Sequence, residues 1–209
     1  MAKAAVDRRR PSQERARATR ERILDAAAEL FGQRGIAETS TNRIAAEAGV
    51  SVGTVYRYFA DREVIVDELL ERLIGTIEQR FTQRIFGLGD QAFLQVATSI
   101  LEVITEELVA NALLVRALAA GVQFYSSGIP EFEPRLRLLV KVLVIQLLGP
   151  GDDQRYEVIS YVLVTTGFAA VLRASGPEVD SAERENLIAM TAEMMAAWAE
   201  AERATAVHR

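Results

Sequence analysis

The sequence predicts an all-α fold of about nine helices. Three observations carry that expectation. Apolar residues recur at three- and four-residue spacing through most of the chain, as in Ile23, Ala27, Leu30 and Phe31, or Leu187, Met190, Met194 and Trp198. Clusters of Gly and Pro, rather than long polar tracts, separate these runs. Alternation of apolar and polar residues is absent, and the Val-rich stretch 138–148 is too long for a typical strand.

Taken in order, residues 1–17 are polar and Arg-rich, lack apolar periodicity, and are expected as a mobile basic arm. A helix follows and ends in the break from Gly32 to Thr41. A short helix starts there, with Ser40 or Thr41 as its cap. After the break from Gly49 to Gly53, Ser51 can cap a second short helix. Ala60-Asp61 interrupts the pattern before a longer helix over roughly 62–85. The middle helices lie between about 91 and 148, interrupted at Gly128-Ile129-Pro130. Gly149-Pro150-Gly151 and Ser175-Gly176-Pro177 bound two final helices, near 152–174 and 180–203.

Composition limits the function. Half of the 209 residues are hydrophobic and a quarter are charged, enough for a sizeable core. There is no Cys, which excludes disulfides, thiolate metal sites and Cys nucleophiles, and the one His is the penultimate residue, His208. No Glu-x-x-His spacing occurs. No catalytic residue, metal or cofactor is therefore expected, and the chain reads as something other than an enzyme. No apolar run approaches the ~18 residues of a membrane span, and the charged N-terminus lacks a signal core, so a cytoplasmic protein without a membrane partner is expected. Residues 1–60 carry eleven Lys/Arg against seven Asp/Glu, whereas 61–209 carry thirteen against twenty-two. A basic head on an acidic body fits a nucleic-acid partner, and equally a solvated arm before an ordinary acidic surface.

The segment Thr41–Phe59, TNRIAAEAGVSVGTVYRYF, carries the most chemistry. Ile44, Ala45 and Ala48 make the inner face of the first short helix. Gly49 suits the tight turn, and Val55 packs back from the second helix. A small residue, a turn Gly and a Val at this spacing allow two helices to cross closely. Ser51, Thr54, Tyr56 and Arg57 are then directed outward. Hydroxyls, a phenol and a guanidinium on one helix suit phosphates and base edges in a major groove. A purely structural helical hairpin has the same spacing.

Residues 19–70 resemble the DNA-binding domain of the tetracycline-repressor (TetR) family. The matching stretches are TRERILDAAAELFGQRG (Thr19–Gly35), ETSTNRIAAEAGVSVGTVYRYF (Glu38–Phe59) and ADREVIVDELL (Ala60–Leu70). The resemblance implies a helix-turn-helix domain over 18–62 and a ligand-binding and dimerisation domain over 63–209. It implies operator contacts from Thr41, Ser51, Thr54, Tyr56, Arg57, Tyr58 and Arg62, with Arg62 on the DNA backbone and Asp61 capping the linking helix. Val52 stands where many relatives carry Lys or Arg. Arg8, Arg9, Arg10, Arg15, Arg17 and Arg20 precede this head and are placed either to enter a minor groove or lie along phosphates, or to remain solvated.

The body offers weaker signals. Ile159, Leu163 and Thr166, with Leu187, Met190, Met194 and Trp198, form stripes on the last two helices. They fit either intrachain core or, as the resemblance implies, a homodimer interface. Asn111, Val115, Phe124, Gln146 and Tyr161 are candidate contacts for a small apolar or amphipathic ligand between the middle helices. The implied function is a ligand-responsive repressor that binds a pseudo-palindromic operator in double-stranded DNA as a dimer. The alternative is a DNA-binding regulator without a ligand.

Overall fold

The structure, a computed structural model, describes residues 3–86, 92–121 and 132–207. Among these it has nine helices and no strand: α1 (Lys3–Arg34), α2 (Thr41–Glu47), α3 (Val52–Tyr58), α4 (Arg62–Phe86), α5 (Phe93–Ala110), α6 (Ala112–Gly121), α7 (Phe132–Leu148), α8 (Asp153–Ala174) and α9 (Ser181–Val207). The all-α expectation holds. One boundary differs. Helix α1 begins at Lys3, so most of the segment expected as a mobile arm is helical. Its Ala, Arg, Gln and Glu residues favour helix even without an apolar stripe to advertise one.

The chain divides into two compact units, residues 1–73 with 113–122, and 74–112 with 123–209. In the first unit, Ile23, Ala27, Leu30 and Phe31 of α1 pack with Ile44 and Ala45 of α2, Val55 of α3, Phe59, and Ile65 and Leu69 of α4. Leu114, Ala117 and Leu118 of α6 join the same core. The contact with α6 is close. A Cβ at Gly32 would sit 2.9 Å from Cβ of Leu113, so only Gly fits. Buried Thr39 donates its hydroxyl hydrogen to the Gly35 carbonyl at 2.8 Å, which satisfies it and ties down the loop before α2.

The turn between α2 and α3 shows why the sequence folds as it does here. Gly49 has φ +63°, a conformation that costs a side-chain-bearing residue about 1 kcal/mol or more. Its N–H bonds the Ala46 carbonyl at 3.2 Å, and the Val50 N–H bonds that of Ala45 at 2.9 Å. These two bonds close a Schellman motif and stop α2. Ser51 then caps α3, accepting from the Thr54 N–H at 3.1 Å.

In the second unit α5 packs on α8 and α9, α7 packs on α8, and α8 packs on α9. Phe93, Val96, Ile100, Leu101 and Ile104 of α5 bury one face of that helix. Asp152 caps α8 through the Arg155 N–H at 2.6 Å, and Asp180 accepts from the Glu183 N–H at 2.9 Å at the start of α9. Lys141 of α7 bridges Asp153 (2.8 Å) and Glu157 (3.0 Å) of α8. Those two carboxylates raise the Lys141 pKa above the ordinary lysine value.

Helix α8 corrects one expectation. Its 22 residues are long and apolar enough, by composition, to cross a membrane, although no span was expected. Its apolar residues fall on two faces. Ile159, Val164, Gly167 and Val171 are buried, while Val158, Tyr161 and Val162 are exposed.

Candidate functional site

Helices α2 and α3 present a polar outer surface over an apolar inner one. Val55 is fully buried, whereas Tyr56 one residue later is 54% exposed. The Thr41 hydroxyl at the start of α2 lies 3.1 Å from that of Tyr56, which joins the two helices by an outward-facing hydrogen bond. Ser51 and Thr54 pair their hydroxyls at 2.8 Å. The exposed Arg57 guanidinium stands 5.2 Å from the centroid of the Tyr58 ring, within cation–π range. Ser51, Thr54, Tyr56, Arg57 and Tyr58 all lie on α3 or its cap, and Thr41 is brought to them by the Gly49 turn. The result is a donor-rich surface on a short helix fixed to a rigid core.

Arg62, expected on the DNA backbone, has hydrogen-bond partners within its own unit. Its Nη1 donates to the Ile36 and Ala37 carbonyls at 3.0 and 3.1 Å, and Nη2 reaches Glu63 at 3.4 Å. The guanidinium therefore clamps the α1–α2 connection to the first turn of α4 rather than reaching outward. Asp61 does cap α4, accepting from the Val64 N–H at 2.9 Å.

The second unit contains an apolar cavity of about 120 Å³. Phe81 of α4, Phe93 and Ile100 of α5, Val144 of α7, Leu163 and Phe168 of α8, and Met195 and Trp198 of α9 are among its walls. The expected ligand contacts lie elsewhere. Asn111 is the C-cap of α5, with Nδ2 donating to the Glu107 carbonyl and carboxylate at 2.9 Å each. Val115 is half-buried on α6 in the first unit. Gln146 and Tyr161 are exposed, so the amide in its Val/Leu-rich context simply faces outward on α7. Phe124 lies outside the described residues. The lining had no local signature because its residues are spread over five helices distant in sequence.

Helices α8 and α9 also carry an open apolar groove of about 600 Å³. Val158, Val162 and Thr166 of α8 face Met194 and Trp198 of α9 across it. Of the expected interface residues, Met190 and Met194 are exposed and Leu163, Thr166, Leu187 and Trp198 are half-buried. Ile159 is 7% exposed and packs with Val144 and Tyr156 inside the unit. The sequence reading missed Val158 and Val162, which lie on the stripe one position earlier. At the groove's end the Arg155 Nη2 donates to Glu202 at 2.7 Å, and that pairing raises the Arg155 pKa.

Comparison with known proteins agrees with this architecture. The family profile described as bacterial regulatory proteins, tetR family, matches residues 23–69, which span α2, α3 and their supporting helices. An uncharacterized HTH-type transcriptional regulator of Mycobacterium tuberculosis is 30% identical over 185 residues, covering 75% of this chain and 91% of the relative. The HTH-type transcriptional repressor KstR2 of Mycolicibacterium smegmatis is 30% identical over 129 residues, 59% of this chain and 58% of its own. A tetR-family regulator from Streptomyces coelicolor has the same fold, with TM-score 0.69 over 92% of this chain and 89% of its own at 18% identity. On the profile match and the near full-length Mycobacterium relative, the chain belongs to the tetR family of bacterial transcriptional regulators.

Proposed function

We propose that this regulator is a repressor that binds a pseudo-palindromic operator as a homodimer and is released by a small apolar or amphipathic effector. The observation that carries the DNA reading is the polarity of α3, with Val55 buried and Tyr56 and Arg57 turned to solvent on a helix held by the Gly49 turn. Tyr56, Arg57, Ser51 and Thr54 are assigned to base edges and phosphates, with Thr41 on a phosphate and Tyr58 beside them. Arg62 is assigned a positioning role, because its Nη1 is already committed to the Ile36 and Ala37 carbonyls and its Nη2 to Glu63.

The groove on α8 and α9 is assigned to the second copy. An isologous contact there sets two recognition helices about one two-fold axis, which a pseudo-palindrome requires. The effector is assigned to the cavity of the second unit, whose walls are almost wholly hydrocarbon. Effector and operator must then oppose each other reciprocally, by roughly 5–150-fold in affinity. Titrating dodecanol into a complex with a selected operator duplex tests this. Release of DNA, with a matching loss of dodecanol affinity when operator is saturating, is the expected result. Equal dodecanol affinity with and without operator rejects the effector role.

A further inference from the structure

The cavity and the groove share a boundary. Leu163, Met195 and Trp198 line both, and each is half-buried. One layer of side chains therefore separates the interior void from the surface assigned to the second copy. We propose that this wall is common to the effector site and the dimer face, and that an apolar ligand larger than the cavity competes with the second copy for the positions of Leu163, Met195 and Trp198. The inference rests on the dimer and effector assignments above.

Three observations support it. First, the void is small. About 120 Å³ is of the order that holds one benzene-sized molecule, so a longer chain must extend beyond it, through the pocket's mouth or past its lining. Second, the walls differ in the side chains that close them. The α7–α8 side is cross-linked by Lys141 to Asp153 and Glu157 and by Arg137 to Glu157. The α8–α9 side is bridged at the groove's end by Arg155 and Glu202, and between the two helices it is closed by unbranched Met195, by Leu163 and by a Trp198 that already meets the groove. Met in particular repacks readily. The ligand therefore pushes this wall outward, into the groove.

Third, the groove suits a copy of itself rather than a charged partner. Among the described residues its one charged lining residue is Arg155, already bonded to Glu202, and exposed apolar side chains rise from both helices, Val158 and Val162 on α8 and Met194 on α9. A two-fold contact lays each stripe on its equivalent or its neighbour. Side chains driven into that contact by a ligand remove the fit, since packed interfaces tolerate little added volume.

The chain has a single tryptophan, so Trp198 fluorescence reports on the wall directly. The full chain, free of DNA, is titrated with benzene and separately with dodecanol, and its dimer dissociation constant is measured by sedimentation. Benzene binds without changing that constant. Dodecanol binds, shifts Trp198 emission and weakens the dimer by roughly 5–150-fold. Met195→Ala enlarges the void and reduces the dodecanol effect on the dimer. A chain that is monomeric throughout, or that binds neither probe, overturns the assignments above and this inference with them. A dimer that binds dodecanol with an unchanged dissociation constant overturns this inference alone.

Discussion

The hydroxyls of Thr41 and Tyr56 lie 3.1 Å apart, so the first residue of α2 and the exposed phenol of α3 form one hydrogen-bonded pair. A pair already formed in the free protein loses little side-chain entropy when DNA arrives. Tyr56→Phe removes the bond without removing the ring. Thermal stability should change by no more than about 0.5 kcal/mol, because the pair is exposed. Operator affinity should fall about tenfold or less, corresponding to about 1 kcal/mol for one hydrogen bond. Calorimetry with fluorescence anisotropy on one sample separates the two effects.

Arg62→Ala should act through stability. It removes the two bonds to the Ile36 and Ala37 carbonyls, at a cost of about 1–3 kcal/mol. Operator affinity should drop with the slope of log affinity against log salt unchanged. A flatter slope indicates a lost phosphate contact, since each such contact releases counterions.

The helices and the recognition hairpin were legible from the sequence for local reasons. Ala45, Gly49, Ser51 and Val55 fall within one short segment, and each makes its structural contribution to the turn there. What was not legible depends on contacts distant in sequence. Arg62 has a charge that suits phosphate, but its partners are carbonyls twenty-five and twenty-six residues earlier. Nothing near Gly32 announces that Leu113 will press on it. The cavity lining, drawn from α4, α5, α7, α8 and α9, has no motif either. On α8 the buried and exposed stripes are adjacent and equally apolar, so periodicity alone chose Ile159 over Val158.

Val162→Arg places a charge on the exposed apolar face of α8 without disturbing the core beneath it. If the groove seats a second copy, the unpaired guanidinium should cost several kcal/mol of association. Sedimentation should then find a monomer at low micromolar concentration with unchanged helicity. A variant that stays dimeric places the interface elsewhere.

Lys141 links stability to alkaline pH. Its pKa is raised from 10.5 by the Asp153 and Glu157 hydrogen bonds. The folded protein thus holds this proton more tightly than the unfolded chain, and the stabilisation is fully present below 10.5 and lost as pH rises through the raised folded value. In thermal denaturation, the gap between the natural protein and Lys141→Met should be constant from neutral pH up to 10.5 and close above it. A gap that persists at the highest pH removes the ion pairs as its source.

Selection of bound duplexes from a random DNA pool tests most directly whether two copies of α3 read DNA about a two-fold axis. The expected product is an inverted repeat with half-site centres about one helical turn, roughly 10–10.5 bp, or slightly more apart. The same selection with Arg57→Ala should relax the preference at a symmetric pair of positions. Enrichment of no sequence above background, or of a lone half-site without its inverted mate, contradicts a dimeric operator-binding repressor.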